Sequence, residues 1–100
     1  MNDPAWDIAM YIAESCLPQE AVEKFLTYYY GAYQICPDEM IKLKCFVMAQ
    51  DLLWSVWAMI RHYNGEDFLD YLYNRYSRFC RNLAQLMLDD SYPLAEMVKP

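Results

Sequence analysis

The feature that most constrains this chain is the apolar stretch at residues 45–60, interrupted mainly by Gln50 and Asp51. Pro37 supplies a helix start some way before it, and Gly65 supplies a stop shortly after it. Together they predict one helix of about 25 residues, which is long for a globular domain. Because the second half is apolar nearly all round, we expect a buried central helix that needs neighbours on every side.

Three further helices are predicted around this central one. Residues 3–16 begin with an Asp-Pro helix start and repeat apolar side chains at helical spacing. Residues 18–31 begin with proline and end with glycine, the residue preferred where a helix stops. The last helix spans residues 66 to about 89, and residues 94–98 add one turn. No strand pattern occurs, so we predict an all-α fold of four main helices, as two packed helical hairpins in a single subdomain.

Two rows of basic residues indicate solvent-facing surfaces. Lys42 and Lys44 are expected on the solvent side of the third helix before it becomes apolar. Arg75, Arg78 and Arg81 recur every three residues on the last helix. We expect this row to be a solvated face whose cations pair with nearby carboxylates. A phosphate site is the weaker interpretation, because a helix interior has no free backbone N–H groups to offer.

Composition excludes several classes of function. A net charge of −6 without a dense basic patch argues against nucleic acid. With two glycines there is no phosphate-binding loop, and one histidine with four scattered cysteines predicts neither a metal site nor catalytic residues. The cysteines are expected as reduced thiols in a cytoplasmic protein. Residues 45–60 are shorter than the roughly 20 residues that a membrane span requires, so none is expected.

The aromatic residues are the feature of the sequence that indicates a binding function. Trp54 and Trp57 lie three residues apart and therefore share one face of the helix. With Tyr71 they could wall a box for a quaternary ammonium group, which has no N–H to donate and binds to ring faces and carboxylates. Asp51 is a candidate for the carboxylate. The alternative interpretation is a core helix with large side chains and one hydrogen-bonded acid.

Three blocks resemble one known family. Residues 2–9 (NDPAWDIA) are similar to the stretch after the metal-binding aspartate motif of bacterial choline kinase-like phosphotransferases. Residues 51–58 (DLLWSVWA) resemble the paired-tryptophan helix of that family. Residues 65–71 (GEDFLDY), continuing to 74–76 (NRY), resemble its closing helix. The blocks occur in the same order and cover most of the chain. They indicate the choline/ethanolamine kinase branch of the aminoglycoside phosphotransferase-like, protein kinase-like fold.

The resemblance implies the C-terminal helical part of a larger kinase lobe. In that family the ATP-binding lobe, the catalytic aspartate loop and the metal-binding aspartate precede the position of Met1. The parent enzyme would use ATP and Mg²⁺ to phosphorylate choline, ethanolamine or another amino alcohol. This chain would carry no catalytic residue, metal or cofactor of its own. It would bind the missing N-terminal kinase lobe, and Trp54, Trp57 and Tyr71 would wall part of the substrate pocket.

A different class of function remains open, a stand-alone helical module that binds a partner protein through exposed aromatic residues. Apolar residues make up 57% of the chain, and 17% of all residues are aromatic. A domain this small has too much surface for its volume to hide all of them. We therefore expect a homo-oligomer of the chain, most simply a dimer.

Overall fold

The all-α prediction is confirmed by the computed structural model, which describes residues 3–31 and 35–100. Within those ranges every regular element is a helix. The helices are α1 (Pro4–Ser15), α2 (Gln19–Tyr30), α3 (Pro37–Tyr63), α4 (Leu69–Leu88) and the single turn α5 (Leu94–Met97). α3 and α4 form an antiparallel hairpin, α1 packs mainly on α3, and α2 contacts α5.

Local sequence accounts for most of the helix boundaries. The Asp3 side chain accepts a hydrogen bond of 2.9 Å from the backbone N–H of Ala5 and thereby caps α1. Gly31 ends α2 with a left-handed φ of 64°. α4 begins at Leu69, later than the expected Glu66, because residues 64–68 make the turn between the long helices.

That turn is a Schellman motif centred on Gly65, whose φ is 98°. The N–H of Gly65 donates to the carbonyl of His62, and the N–H of Glu66 donates to the carbonyl of Arg61. A residue with a side chain would be strained at this φ. The motif therefore ends α3 and reverses the chain, so that α4 returns along it.

The hydrophobic core lies at one end of an elongated molecule of 48 × 29 × 22 Å. It consists of side chains from α1, α2, the first half of α3 and the C-terminal turn, and Ile12, Leu43 and Met97 are among its fully buried members. Between Met48 and Leu86 no hydrophobic side chain belongs to this cluster or packs against it, although Arg78 and Asn82 donate hydrogen bonds to carbonyls of its C-terminal members. The outer half of the α3–α4 hairpin therefore projects beyond the core.

The expectation of a buried central helix is wrong for the second half of α3. Leu52, Leu53, Val56, Met59 and Ile60 are between 41% and 56% exposed. Among the described residues only α4 runs along this part of the helix, so the side away from α4 is exposed. The apolar pattern is that of a buried helix, but residues 3–31 and 35–100 do not supply the neighbours that the pattern requires.

By length and composition alone α3 is also able to cross a membrane, and it is the one such helix among the described residues. The apolar residues 45–60 alone are too short for a span, whereas the whole helix has 27 residues. Core helices of water-soluble proteins pass the same test. One such helix is therefore weak evidence for a span.

Candidate functional site

The three predicted site residues lie together in one aromatic cluster on one flank of the α3–α4 hairpin. The rings of Trp54 and Trp57 meet edge to face with centroids 5.7 Å apart, and Trp57 lies 6.1 Å from Tyr71. Phe68 joins them, at 5.0 Å from Trp57 and 6.1 Å from Tyr71. We call these four residues the aromatic cluster.

The cluster follows from helix periodicity and from the turn. Trp54 and Trp57 are one turn apart on α3, and Phe68 and Tyr71 are one turn apart at the start of α4. The Gly65 turn brings the second pair back against the first. Phe68 was not predicted as a site residue, although its three-residue spacing to Tyr71 is the signal that could have identified it.

The cluster is partly open to solvent. Trp57 is 36% exposed, and the other three rings are half-buried. Fully buried core aromatics would leave no ring face for a ligand, whereas these four keep part of their surface accessible. The arrangement is compatible with a shallow site whose remaining walls come from another body of protein.

Two guanidinium groups of the chain already lie over ring faces of the cluster. The Arg61 guanidinium carbon is 5.5 Å from the centroid of Trp57, and that of Arg75 is 5.3 Å from the centroid of Tyr71. Both distances are within the range of cation–π attraction. The cluster therefore binds cations in this structure, and the cations are the protein's own.

The two arginines are held very differently. Arg75 donates to Glu14 at 2.8 Å and to Asp51 at 3.0 Å, and its side chain is 15% exposed. Burial acts to lower the pKa of Arg75, but the hydrogen bonds to Glu14 and Asp51 outweigh it, so the pKa is raised and the group is permanently charged. Arg61 is 47% exposed, and its one ionic partner in the described part of the chain is the surface residue Glu66, at 2.7 Å.

Asp51 does not face the aromatic cluster as a free carboxylate, which corrects the sequence interpretation. It is 0% exposed, and both of its oxygens are occupied. Arg78 donates to Oδ2 through Nε at 2.8 Å and to Oδ1 through Nη2 at 2.7 Å, while Arg75 also donates to Oδ1. The acid is neutralised by two arginines, so it has no lone charge to offer a ligand.

The arginine row is likewise only partly what the sequence predicted. Arg75 pairs with carboxylates, but Arg78 is 8% exposed and also donates to the Val98 carbonyl at 2.8 Å. Arg81 donates to backbone carbonyls of the C-terminal segment, at Glu96, Met97, Lys99 and Pro100. The row fastens α4 to the rest of the fold and is not a solvated face. Lys44 is also buried, with its ammonium group 2.8 Å from the Asp90 carbonyl.

Two cavities lie elsewhere on the surface. One of about 510 Å³ lies between α2 and the start of α3, and its lining includes Glu23, Leu26 and Met40. The other, of about 420 Å³, is an apolar groove between α3 and α4. Neither is lined by a member of the aromatic cluster. The described residues contain no group of three metal-ligating side chains.

The chain is similar to Protein LicA of Haemophilus influenzae strain Rd, with 31% identity over 94 residues that cover 86% of this chain and 34% of the relative. A second Protein LicA from Haemophilus influenzae is also 31% identical, and the match covers 27% of its length. The chain thus spans between about a quarter and a third of the length of the curated relatives it matches. It matches no protein-family model and no solved structure.

Proposed function

We propose that this chain is the helical, amino alcohol-binding part of a choline/ethanolamine kinase-like phosphotransferase. The observation that carries the proposal is the meeting of Trp54, Trp57 and Tyr71 with Phe68 on one flank of the hairpin. Residues that the family resemblance named in advance lie in one cluster, although they come from two helices. The similarity to Protein LicA over most of the chain supports the same assignment.

The chemistry of the cluster suits a small organic cation. A trimethylammonium group cannot donate hydrogen bonds, so it is bound by the negative faces of aromatic rings and by nearby carboxylates. Arg61 occupies such a position over Trp57 and is exposed enough to be displaced. If a ligand cation replaced it, the carboxylate of Glu66 would be left as the counter-charge beside the ring.

This part of the enzyme would select the substrate and would not perform the phosphoryl transfer. The resemblance assigns the ATP- and Mg²⁺-binding residues to a lobe that precedes Met1. Phosphoryl transfer depends on positioning and charge stabilisation by such residues. The helical part would present the amino alcohol to that lobe, which would also complete the pocket walls.

Binding can be tested with the three indole N–H signals of the chain in a proton–nitrogen NMR spectrum. Trp54 and Trp57 lie in the cluster, whereas Trp6 packs on Phe46 at 5.4 Å and is an internal control. Choline should shift the first two signals with a dissociation constant on the order of 10 mM, because exposed cation–π contacts contribute only about 0.5–1 kcal/mol each. The neutral isostere 3,3-dimethyl-1-butanol and sodium chloride should not. Equal shifts with the isostere, or equal shifts at Trp6, would refute the proposal.

Arg61→Gln gives a second test of the same site. Removing the competing guanidinium from Trp57 should tighten choline binding about two- to fivefold, the equivalent of one exposed cation–π contact. Lys99→Gln is the matched control, since Lys99 is also an exposed cation paired with a nearby glutamate, Glu96, and its loss changes net charge equally. If both variants bind choline alike, Arg61 does not compete for the ring face.

One observation favours the alternative function, a helical module that binds a partner protein. The flank of the hairpin opposite the aromatic cluster exposes large apolar side chains, including Leu69 at 55% and Tyr73 at 71%. Contiguous apolar surface of this kind marks interaction sites on soluble proteins. Failure of choline to shift the indole signals, together with association through this flank, would favour the module.

A further inference from the structure

A regular apolar stripe runs along the outward face of α4. Its members lie alternately four and three residues apart, and all of them are exposed: Leu69, Tyr73, Tyr76, Cys80, Leu83 and Met87. This is the spacing of a coiled-coil seam, in which each helix buries one such stripe against a partner helix. The side of α4 that packs on α3 is a different one, which contains the buried Arg78 and Asn82. α4 therefore has two faces suited to helix contact. In the described part of the chain only the face that packs on α3 is buried.

Together with apolar residues of α3, the stripe borders a groove. Leu52, Val56 and Met59 follow the same flank of α3, one turn apart. Between them and the α4 residues Leu69 and Tyr73 lies the apolar groove of about 420 Å³. No charged side chain lines it. The groove is on the flank opposite the aromatic cluster, so occupation of one does not obstruct the other.

We propose that this groove and stripe form the interface of a two-fold dimer of the chain. Two hairpins that pack through these faces make a four-helix bundle, the usual product of docking two helical pairs. The Tyr73 and Tyr76 rings, 71% and 52% exposed, line the α4 side of the groove in their own copy and can pack into the groove of the other. A surface with both ridge and groove is self-complementary, as a two-fold contact requires.

The amount of exposed surface agrees with a second copy. The chain exposes 6665 Å², whereas a compact monomer of its mass exposes about 6,000 Å². The excess of about 700 Å² reflects the elongated shape, in which the hairpin projects beyond the core and leaves its apolar stripe uncovered.

Charge also favours a second copy over a membrane surface as the occupant of the groove. The chain has a net charge of −6, but the groove itself is neutral, so two copies meet there without opposed carboxylates. Helices that lie on membrane surfaces have a polar face rich in lysine and arginine. The arginines of α4 instead pair with Asp51, Glu14 and the C-terminal carbonyls. A membrane surface is thus the poorer match.

Sedimentation equilibrium of the full chain tests the proposal. At 1–100 µM protein, on the scale of typical weak dimers, we expect a mass of about 24 kDa, twice the 12.0 kDa of the chain. Tyr73→Glu places a charge in each copy's seam and should weaken dimerisation about thirtyfold or more, as loss of a central interface tyrosine does. Tyr76→Glu should act in the same direction.

Tyr28→Glu is the matched control, because Tyr28 is 90% exposed on α2, away from the hairpin, and its variant should remain dimeric. All three tyrosines are exposed in the protomer, so circular dichroism should show wild-type helix content for each variant. A 12.0 kDa wild-type monomer at the highest concentration, with or without binding to anionic vesicles, would overturn the proposal. Equal effects of Tyr73→Glu and Tyr28→Glu would overturn it too. Neither result depends on choline binding.

Discussion

Asp51 joins three parts of the chain through one carboxylate. It binds Arg78 and Arg75 of α4, while Arg78 continues to the Val98 carbonyl and Arg75 continues to Glu14 of α1. A buried ion pair offers little net stability over a well-packed apolar pair, but breaking it leaves a buried charge without a partner. The network therefore fixes how α4, α1 and the C-terminal segment sit on α3.

Asp51→Ala should be strongly destabilising for that reason. Arg78, only 8% exposed, would lose both carboxylate bonds, and breaking such a buried pair costs about 3–5 kcal/mol. Urea unfolding followed by circular dichroism measures the change. Glu14→Ala is the control within the same network, because Glu14 is 55% exposed and such pairs contribute less than about 1 kcal/mol. If the two variants lose similar stability, Asp51 is not the centre of the network.

For single residues, the predictions that failed concern the solvent exposure of charged side chains. Lys44 and Arg78 were predicted on solvated faces because charged side chains are rarely buried. Each is buried because its polar end meets a specific acceptor far along the chain, Asp90 for Lys44 and both Asp51 and Val98 for Arg78. No local pattern encodes such a partner, so residue type alone gives the wrong exposure.

At the scale of helices the sequence was a better guide, since starts and stops are local chemistry. The Asp3 cap, the Pro37 start and the stops at Gly31 and Gly65 all occur where they were predicted. The start of α4 was misplaced by three residues. Glu66 and Asp67 look like a first helical turn, but the Schellman motif uses the N–H of Glu66 to close α3.

The cap of α1 predicts a pH dependence of stability. The backbone N–H of Ala5 and the side chain of Lys42 hold the pKa of Asp3 below its ordinary value of 3.8. A lowered folded-state pKa means that the contribution is present above pH 4 or so and is lost as pH falls through the lowered pKa. Asp89, whose pKa is lowered by Ser91, acts in the same direction.

Asp3→Asn isolates this effect, because asparagine remains a good cap but does not titrate. The variant should melt below the wild type at neutral pH, and the two melting temperatures should converge as pH falls below the lowered pKa of Asp3, where both caps are uncharged. Thermal melts by circular dichroism between these limits measure the difference. Asp67→Asn, which removes an exposed carboxylate from the turn, controls for net charge and should parallel the wild-type curve. A gap between Asp3→Asn and wild type that does not change with pH would contradict the assignment.

At the scale of the whole molecule, the all-α fold class and the position of the aromatic residues were predictable from the sequence. The position of the hydrophobic core was not. Helical periodicity and the turn at Gly65 were sufficient to bring Trp57 and Tyr71 to one flank. Where the core forms depends on long-range contacts of α1, α2 and the C-terminal turn with the first half of α3. The sequence shows that residues 45–60 require packing partners on every side. It does not show that the second half of α3 extends beyond the core and stays exposed.

The described part of the chain shows no site for phosphoryl transfer, so the last prediction is that the chain transfers no phosphoryl group alone. It has two glycines, and both end helices, Gly31 after α2 and Gly65 after α3, so neither belongs to a loop that could bind phosphates. Two acids beside the aromatic cluster are paired, Asp51 with Arg75 and Arg78 and Glu66 with Arg61. Incubation with ATP, Mg²⁺ and choline, followed by a coupled assay for ADP, should give the no-enzyme rate. Turnover above that rate would show that the helical part performs chemistry as well as binding, and the proposed division between substrate selection and phosphoryl transfer would be wrong.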